Sequence, residues 1–152
     1  MSELNVKIIR LEGMRVASVQ GFGSGPEKQA WEKMRVFLAQ QGWLADLKAH
    51  RFFGFNNPEP TPASPNYGYE QWITVGSEVM PQGDVRVKSF AGGLYAVTRC
   101  MLPIITDTWK KLVVWREGSG YKPASHQWLE ECLNPFVPDE DMQLDLYLPI
   151  TE

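Results

Sequence analysis

The feature that most constrains this chain is an internal repeat at an offset of 78 residues. At that shift Trp31 falls on Trp109, Lys33 on Lys111, Met34 on Leu112, Val36 on Val114, Phe37 on Trp115, and Gly42-Trp43 on Gly120-Tyr121. At a shift of 79, Ala17 meets Ala96 and Val16 meets Tyr95. Helical periodicity alone produces two or three such coincidences. A set that runs through a helix and its stop, with strand patterns in the same order on both sides, points to a duplicated unit. The expected fold is therefore α+β, with two pseudo-symmetric β-β-α-β-β halves in one domain spanning 1–152, at about 4–76 and 84–150. Halves related by a pseudo-twofold would place a central ligand pocket on the axis, walled by both helices and the sheets.

Local signals fill in the halves. Val6 to Leu11 and Arg15 to Gly21 read as strands joined across Glu12-Gly13-Met14. Ser24-Gly25-Pro26-Glu27 reads as a helix start with a capping Ser, Pro and Glu in the first turn, and Gly42 as its stop. Arg51 to Phe55 is a short strand. Pro58, Pro60, Pro62 and Pro65 force Asn56 to Asn66 into an extended loop, and Tyr69 to Val75 resumes a strand. In the second half Val85 to Phe90 and Leu94 to Arg99 flank Gly92-Gly93, a hairpin signal. Pro103 opens a helix through Trp109, Leu112 and Val113, and the last strands are Trp128 to Leu133 and Met142 to Leu148.

Composition narrows the function. Fifteen Lys and Arg against eighteen Asp and Glu give a net charge of −3, which argues against a surface built to neutralise nucleic-acid phosphates. No apolar run approaches the ~20 residues of a membrane span, and the first residues carry no secretory signal. Cys100 and Cys132 lack CxxC spacing, so they are read as reduced and buried thiols of a cytoplasmic protein. His50 and His126 stand apart, with no ligand cluster around them, so neither metal nor cofactor is expected. The Gly21-Phe22-Gly23-Ser24-Gly25 run lacks the Lys-Ser/Thr of a phosphate loop and reads as a flexible turn. The unusual quantity is aromatic content: six Trp, five Tyr and seven Phe make 12% of the chain. A cavity lined with rings is one place for the surplus.

The strongest chemical signal is the strand Trp128-Leu129-Glu130-Glu131-Cys132-Leu133. Alternation puts Trp128, Glu130 and Cys132 on one face and Leu129, Glu131 and Leu133 on the other. Either one glutamate shares a buried face with apolar neighbours, or this is an edge strand with both glutamates near solvent. The pattern does not choose between these, nor say which glutamate points in. A buried carboxylate needs a partner or a task. Tyr67, Tyr69, Trp72, Tyr95, Trp109, Trp115 and Trp128 are the candidate rings around it. Each alone reads better as core. Together with one inward carboxylate they would hold a flat, apolar cation.

These residues resemble the GyrI-like effector-binding domain. The resemblance rests on Arg15-Val16-Ala17, Trp31, Phe53-Gly54-Phe55-Asn56-Asn57-Pro58, Ser64-Pro65-Asn66-Tyr67-Gly68-Tyr69-Glu70 and Gly92-Gly93-Leu94-Tyr95-Ala96-Val97. Trp115, Ser119-Gly120-Tyr121, Trp128-Leu129-Glu130 and Leu146-Tyr147-Leu148-Pro149-Ile150 continue it in order to the end of the chain. The resemblance implies an effector-binding fold with a central pocket, as in the ligand domains of multidrug-responsive transcription activators and in integron cassette proteins that bind cationic drugs. It maps the family's pocket glutamate onto Glu130. Cys132 stands where many members have Tyr, which removes any role for a phenol there. On this resemblance all 152 residues are expected to be taken up by a stand-alone domain, without an attached helix-turn-helix module.

The leading expectation is thus a domain that binds small, amphipathic, cationic organic molecules for sequestration or regulation, with Glu130 supplying charge. The resemblance also leaves open a hydrolase acting on a reactive small molecule, with Glu130 as general base and Tyr69 or Tyr95 orienting substrate. A protein-interaction module such as a modulator of DNA gyrase, its partner unidentified, is a further alternative. A haem carrier using His50 or His126 is a distant one.

Overall fold

The computed structural model describes residues 4–63 and 66–152, so Ser64 and Pro65 of the proline-rich segment lie outside the described residues. The fold is α+β, and the described residues form two compact units. One is the continuous stretch Met14–Phe90. The other joins the residues up to Gly13 with Ala91–Glu152.

In the continuous unit the elements are β2 (Met14–Gly23), α1 (Pro26–Gln41), β3 (Phe52–Asn56), β4 (Tyr67–Thr74) and β5 (Arg86–Phe90), preceded in the chain by β1 (Lys7–Leu11). They make an antiparallel sheet ordered β3-β4-β2-β5. Pro26 sits in the first turn of α1, where its missing N–H costs no intrahelical bond. The helix is capped by Gly25, with no side-chain cap, so Ser24 does not serve as the expected cap. Gly42 does stop the helix, in the left-handed region at φ 78°, and the Trp43 N–H returns to the Leu38 carbonyl at 2.9 Å. Ala30, Met34, Phe37 and Leu38 recur at helical spacing and are buried. Burial of a side chain such as Phe37 contributes about 1.5–3 kcal/mol.

In the discontinuous unit β1 is followed by β6 (Gly93–Met101), α2 (Ile105–Glu117), β7 (Lys122–Pro123), β8 (Leu129–Cys132) and β9 (Gln143–Thr151). Their order is β1-β6-β9-β8, with β7 also on β9.

The pairing overturns the hairpin expected at Gly92-Gly93. β1 pairs with β6, from Lys7 opposite Val97 to Leu11 opposite Gly93, and not with β2. β5 pairs with β2, from Met14 opposite Phe90 to Ser18 opposite Arg86, and not with β6. Gly92 does turn the chain, at φ 81°, and a Cβ there would collide with the Leu11 carbonyl. Ala91-Gly92 thus link β5 to β6 without a hairpin, because β5 is paired with β2 and β6 with β1.

Register shows how closely the units correspond. Val16 lies opposite Thr74 in one and Tyr95 opposite Pro149 in the other; Gly54 lies opposite Gln71 and Glu130 opposite Leu146. In one unit Trp31 of α1 rests its ring on Phe52, 6.1 Å between centroids; in the other Trp109 of α2 rests on Trp128 at 5.3 Å.

The sheet face of Met14–Phe90 turned away from α1 buries a carboxylate. Glu70 is 2% exposed and accepts four hydrogen bonds: from Ser18 Oγ at 2.7 Å, Trp72 Nε1 at 2.7 Å, Lys88 Nζ at 2.5 Å and Asn57 Nδ2 at 2.9 Å. Burial alone would raise its pKa, but these four donors, led by Lys88, outweigh it and hold the group below its ordinary 4.5. The sign follows. As pH falls, the unfolded chain takes up this proton before the folded one, so the stability contributed is complete above about 4.5 and is lost below it. Glu70→Gln is expected to destabilise by about 1–3 kcal/mol near neutral pH, with the deficit shrinking toward ~pH 3, as read from urea midpoints. A deficit independent of pH would contradict this account.

Candidate functional site

The candidate site lies in the discontinuous unit, between α2 and the sheet. Thr108, Leu112 and Arg116 are the buried stripe of α2, with Trp109 half-buried beside them. Thr108 lies beside Cys100 of β6, which identifies the α2-facing side of that strand. On β8, Glu130 lies opposite Leu146 and Cys132 opposite Leu144. Glu130 Oε2 accepts the indole N–H of Trp109 at 3.0 Å, so Glu130 also faces α2. Trp128 packs its ring against Trp109 at a tilt of 42° while remaining 40% exposed. Trp128 and Glu130 thus share a face, as strand alternation predicts.

Glu130 is half-buried, not the fully buried pocket carboxylate that the family resemblance implies. The drier group is its neighbour. Glu131, 8% exposed, points to the opposite face and accepts the Tyr147 hydroxyl at 2.7 Å. Neither glutamate is solvent-exposed, so the arrangement with both near water does not occur. Period-two alternation separates the two side chains but cannot rank their burial, because both faces of β8 are covered.

The other candidate rings have these partners within their own units. Tyr95 is fully buried, donates its hydroxyl to the Gln127 carbonyl at 2.5 Å and packs edge-on against Tyr147. Tyr95 is therefore on the Glu131 face, so the suggested pairing of Tyr95 with Glu130 does not form. Burial raises its pKa, which keeps it a neutral phenol. Trp115 stacks on Tyr121 with centroids 6.3 Å apart, as Phe37 meets Trp43 in the other unit at 5.8 Å. Within Met14–Phe90, Tyr67 donates to Glu27 at 2.5 Å and Trp72 to Glu70. Tyr69 is buried on the α1 side, its hydroxyl over Gly54, where any Cβ would collide with it. Trp72 lies on the opposite face. Within the discontinuous unit the structure thus gathers Glu130, Trp109 and Trp128 and gives Tyr95 and Trp115 other partners, while Tyr67 and Trp72 are bonded within Met14–Phe90.

The profile of the GyrI-like small-molecule binding domain matches residues 4–151. The chain belongs to that family. No curated protein sequence matches. Among solved structures, the GyrI-like domain resembles the C-terminal domain of EcmrR, with TM-score 0.73 and 12% identity over 98% of each chain. Against EcmrR in its DNA complex the TM-score is 0.72 at 11% identity, covering 97% of this chain, which spans 57% of that longer protein. The integron cassette protein VCH_CASS2, from the mobile metagenome of Vibrio cholerae, gives TM-score 0.62 at 12% identity, covering 96% of this chain and 95% of that one. SAV2435 bound to tetraphenylphosphonium gives 0.57 at 12%, covering 97% and 94%. At these identities the likeness is one of fold.

Two further groups complete the site. Arg116, which the sequence reading missed, holds its guanidinium 5.8 Å from the Trp128 ring centroid. The 78-residue repeat carried a signal for it, because Arg116 falls on Leu38, a fully buried position of α1. Cys132, on the Glu130 face, is buried, and burial pushes its thiol up to about 11, with Cys100 also raised by burial. The two thiols flank Leu144 on either side of β9, too far apart to join without moving the backbone. Among the described residues no cluster of three His, Cys, Asp or Glu could hold a metal. His50 and His126 are engaged with the Thr74 and Leu94 carbonyls. No described helix is long and apolar enough to cross a membrane.

A thiol reagent that reacts with thiolates is expected to label neither cysteine in the folded protein at ~pH 8 and both after denaturation. Rapid labelling of Cys132 in the native state would show that this side of β8 is open to water.

Proposed function

We propose that the domain binds small amphipathic organic cations at Glu130, between Trp109 and Trp128, and acts by sequestration or as a sensor for a separate partner. The observation that carries this reading is the half-buried carboxylate fixed by the Trp109 indole N–H beside the exposed ring of Trp128. A carboxylate in this setting has lost part of its hydration, and ring faces attract positive charge. The matching ligand spreads its charge over an apolar body, since a compact ammonium would lose much more hydration on entry. Tetraphenylphosphonium, bound to the family-fold protein SAV2435, has this chemistry.

Calorimetric titration of tetraphenylphosphonium and of neutral triphenylphosphine oxide tests the reading. Glu130→Gln is expected to weaken the cation by roughly thirtyfold, about 2 kcal/mol, and to leave the neutral probe within about twofold. Glu131→Gln replaces the charged acceptor of the Tyr147 hydroxyl with a neutral amide, so it should lower the melting temperature without discriminating between the probes. Equal losses for both probes in Glu130→Gln would reduce Glu130 to a packing role and end the proposal.

A further inference from the structure

Arg116 is a cation held on the ring that the proposed site offers to ligands. Its side chain is 8% exposed, its guanidinium lies over Trp128, and one Nη donates to the Pro149 carbonyl at 3.1 Å. Its Nε is buried without a hydrogen-bond partner. Among the described residues no carboxylate forms an ion pair with it. A buried charge without a counter-ion is rare, because loss of hydration is then offset only by weaker contacts. The corresponding position of α1 shows what packing alone selects there, since Leu38 is fully buried at the same point of the repeat.

Position in the helix explains part of this choice. Arg116 lies in the last turn of α2, where a cation is favoured by the helix dipole. A helix-terminal cation does not have to be buried, however, and Lys110 and Lys111 on the same helix are exposed. Burial against Trp128 is the specific feature. Trp128 is edged by Trp109 on one side and faced by Arg116 on another, so the ring reaches solvent with its cation-binding capacity already engaged.

We infer that Arg116 is a resident cation that competes with positively charged ligands for Trp128 and so sets the selectivity of the site. The inference rests on the cation-binding reading of Glu130, Trp109 and Trp128. An entering cation meets both the attraction of Glu130 and the repulsion of Arg116. The net preference for charge is therefore weaker than Glu130 alone would give, and neutral amphipaths of similar shape remain competitive. Arg116 is thus a specificity-determining residue whose loss sharpens charge selection.

The test titrates tetraphenylphosphonium and triphenylphosphine oxide into Arg116→Gln, Arg116→Met and Arg116→Lys, with melting temperatures measured alongside. Gln keeps a donor for the Pro149 carbonyl, Met keeps the apolar stem, and Lys keeps the charge. Gln and Met are each expected to bind the cation about tenfold tighter and the neutral probe within about twofold of the parent. Lys should show no such gain. Should Met fail to fold, Gln carries the test. Unchanged or weaker cation binding in Arg116→Gln, or an equal gain for both probes, would overturn the inference and leave Arg116 a structural residue. If Glu130→Gln selectively loses the cation while Arg116→Gln gains nothing, the resident-cation idea fails and the cation site stands. If no variant binds the cation, both fall.

Discussion

The structure depends on covering sheets whose two faces are both withdrawn from water, so that every polar side chain entering must bring its own partners. In β4 each residue from Gly68 to Ile73 is buried, on both sides of the strand. Glu70 meets the requirement with four donors and remains charged. Glu131 and Tyr147 meet it as a pair. Glu130 is treated differently: it takes one indole N–H within its unit and stands beside an exposed ring. The larger polar cluster at Glu70 reads as a structural anchor tying β2, β4, β5 and the start of the proline-rich segment.

The repeat makes the same contrast visible within the chain. Where the Met14–Phe90 unit has Gly54, register places Glu130; where it has Leu38, the repeat places Arg116. Both replacements introduce charge into a layer that the other unit fills with apolar side chains or leaves to glycine. The ring pairs are kept: Trp31 with Phe52 answers Trp109 with Trp128, and Phe37 with Trp43 answers Trp115 with Tyr121. One copy of the duplicated unit retains its aromatic frame and gains ionic groups inside it. An open groove of about 580 Å³ lies in the Met14–Phe90 unit, where Val19, Phe37 and Val85 meet Glu32, Lys33 and Asp84, and none of the candidate site residues line it.

Much of this was legible in local sequence, and what was not has identifiable causes. Gly42 was readable as a stop because a left-handed residue is a local requirement that glycine satisfies. Ser24 failed as a cap because Gly25 took that position and Pro26 supplied the first turn without a side-chain bond. Strand partners were not readable: Gly92 is a genuine turn, yet whether its flanking strands pair depends on edges offered by β1 and β2 far away in the chain. The alternation of Glu130 and Glu131 was readable, and their order of burial was not, since that depends on what covers each face. Arg116 was hidden because a lone Arg near a helix end normally reads as a solvated terminus.

The exchange of first strands between units bears on how the chain acquires its structure. Met14–Phe90 is continuous, so its contacts can form among residues that neighbour one another in time as well as in sequence. The other unit places Lys7–Leu11 beside Gly93–Met101, and the closure of that long loop must precede any gain from the pairing. During synthesis β1 emerges first and waits while the whole of the continuous unit is made, its exposed Ile8 and its unpaired backbone edge open to the solvent meanwhile. Lys7 and Arg10 on this short strand supply the charge that discourages premature pairing with other chains. The unit bearing Glu130 is in this sense completed last, when the earliest residues made meet the latest.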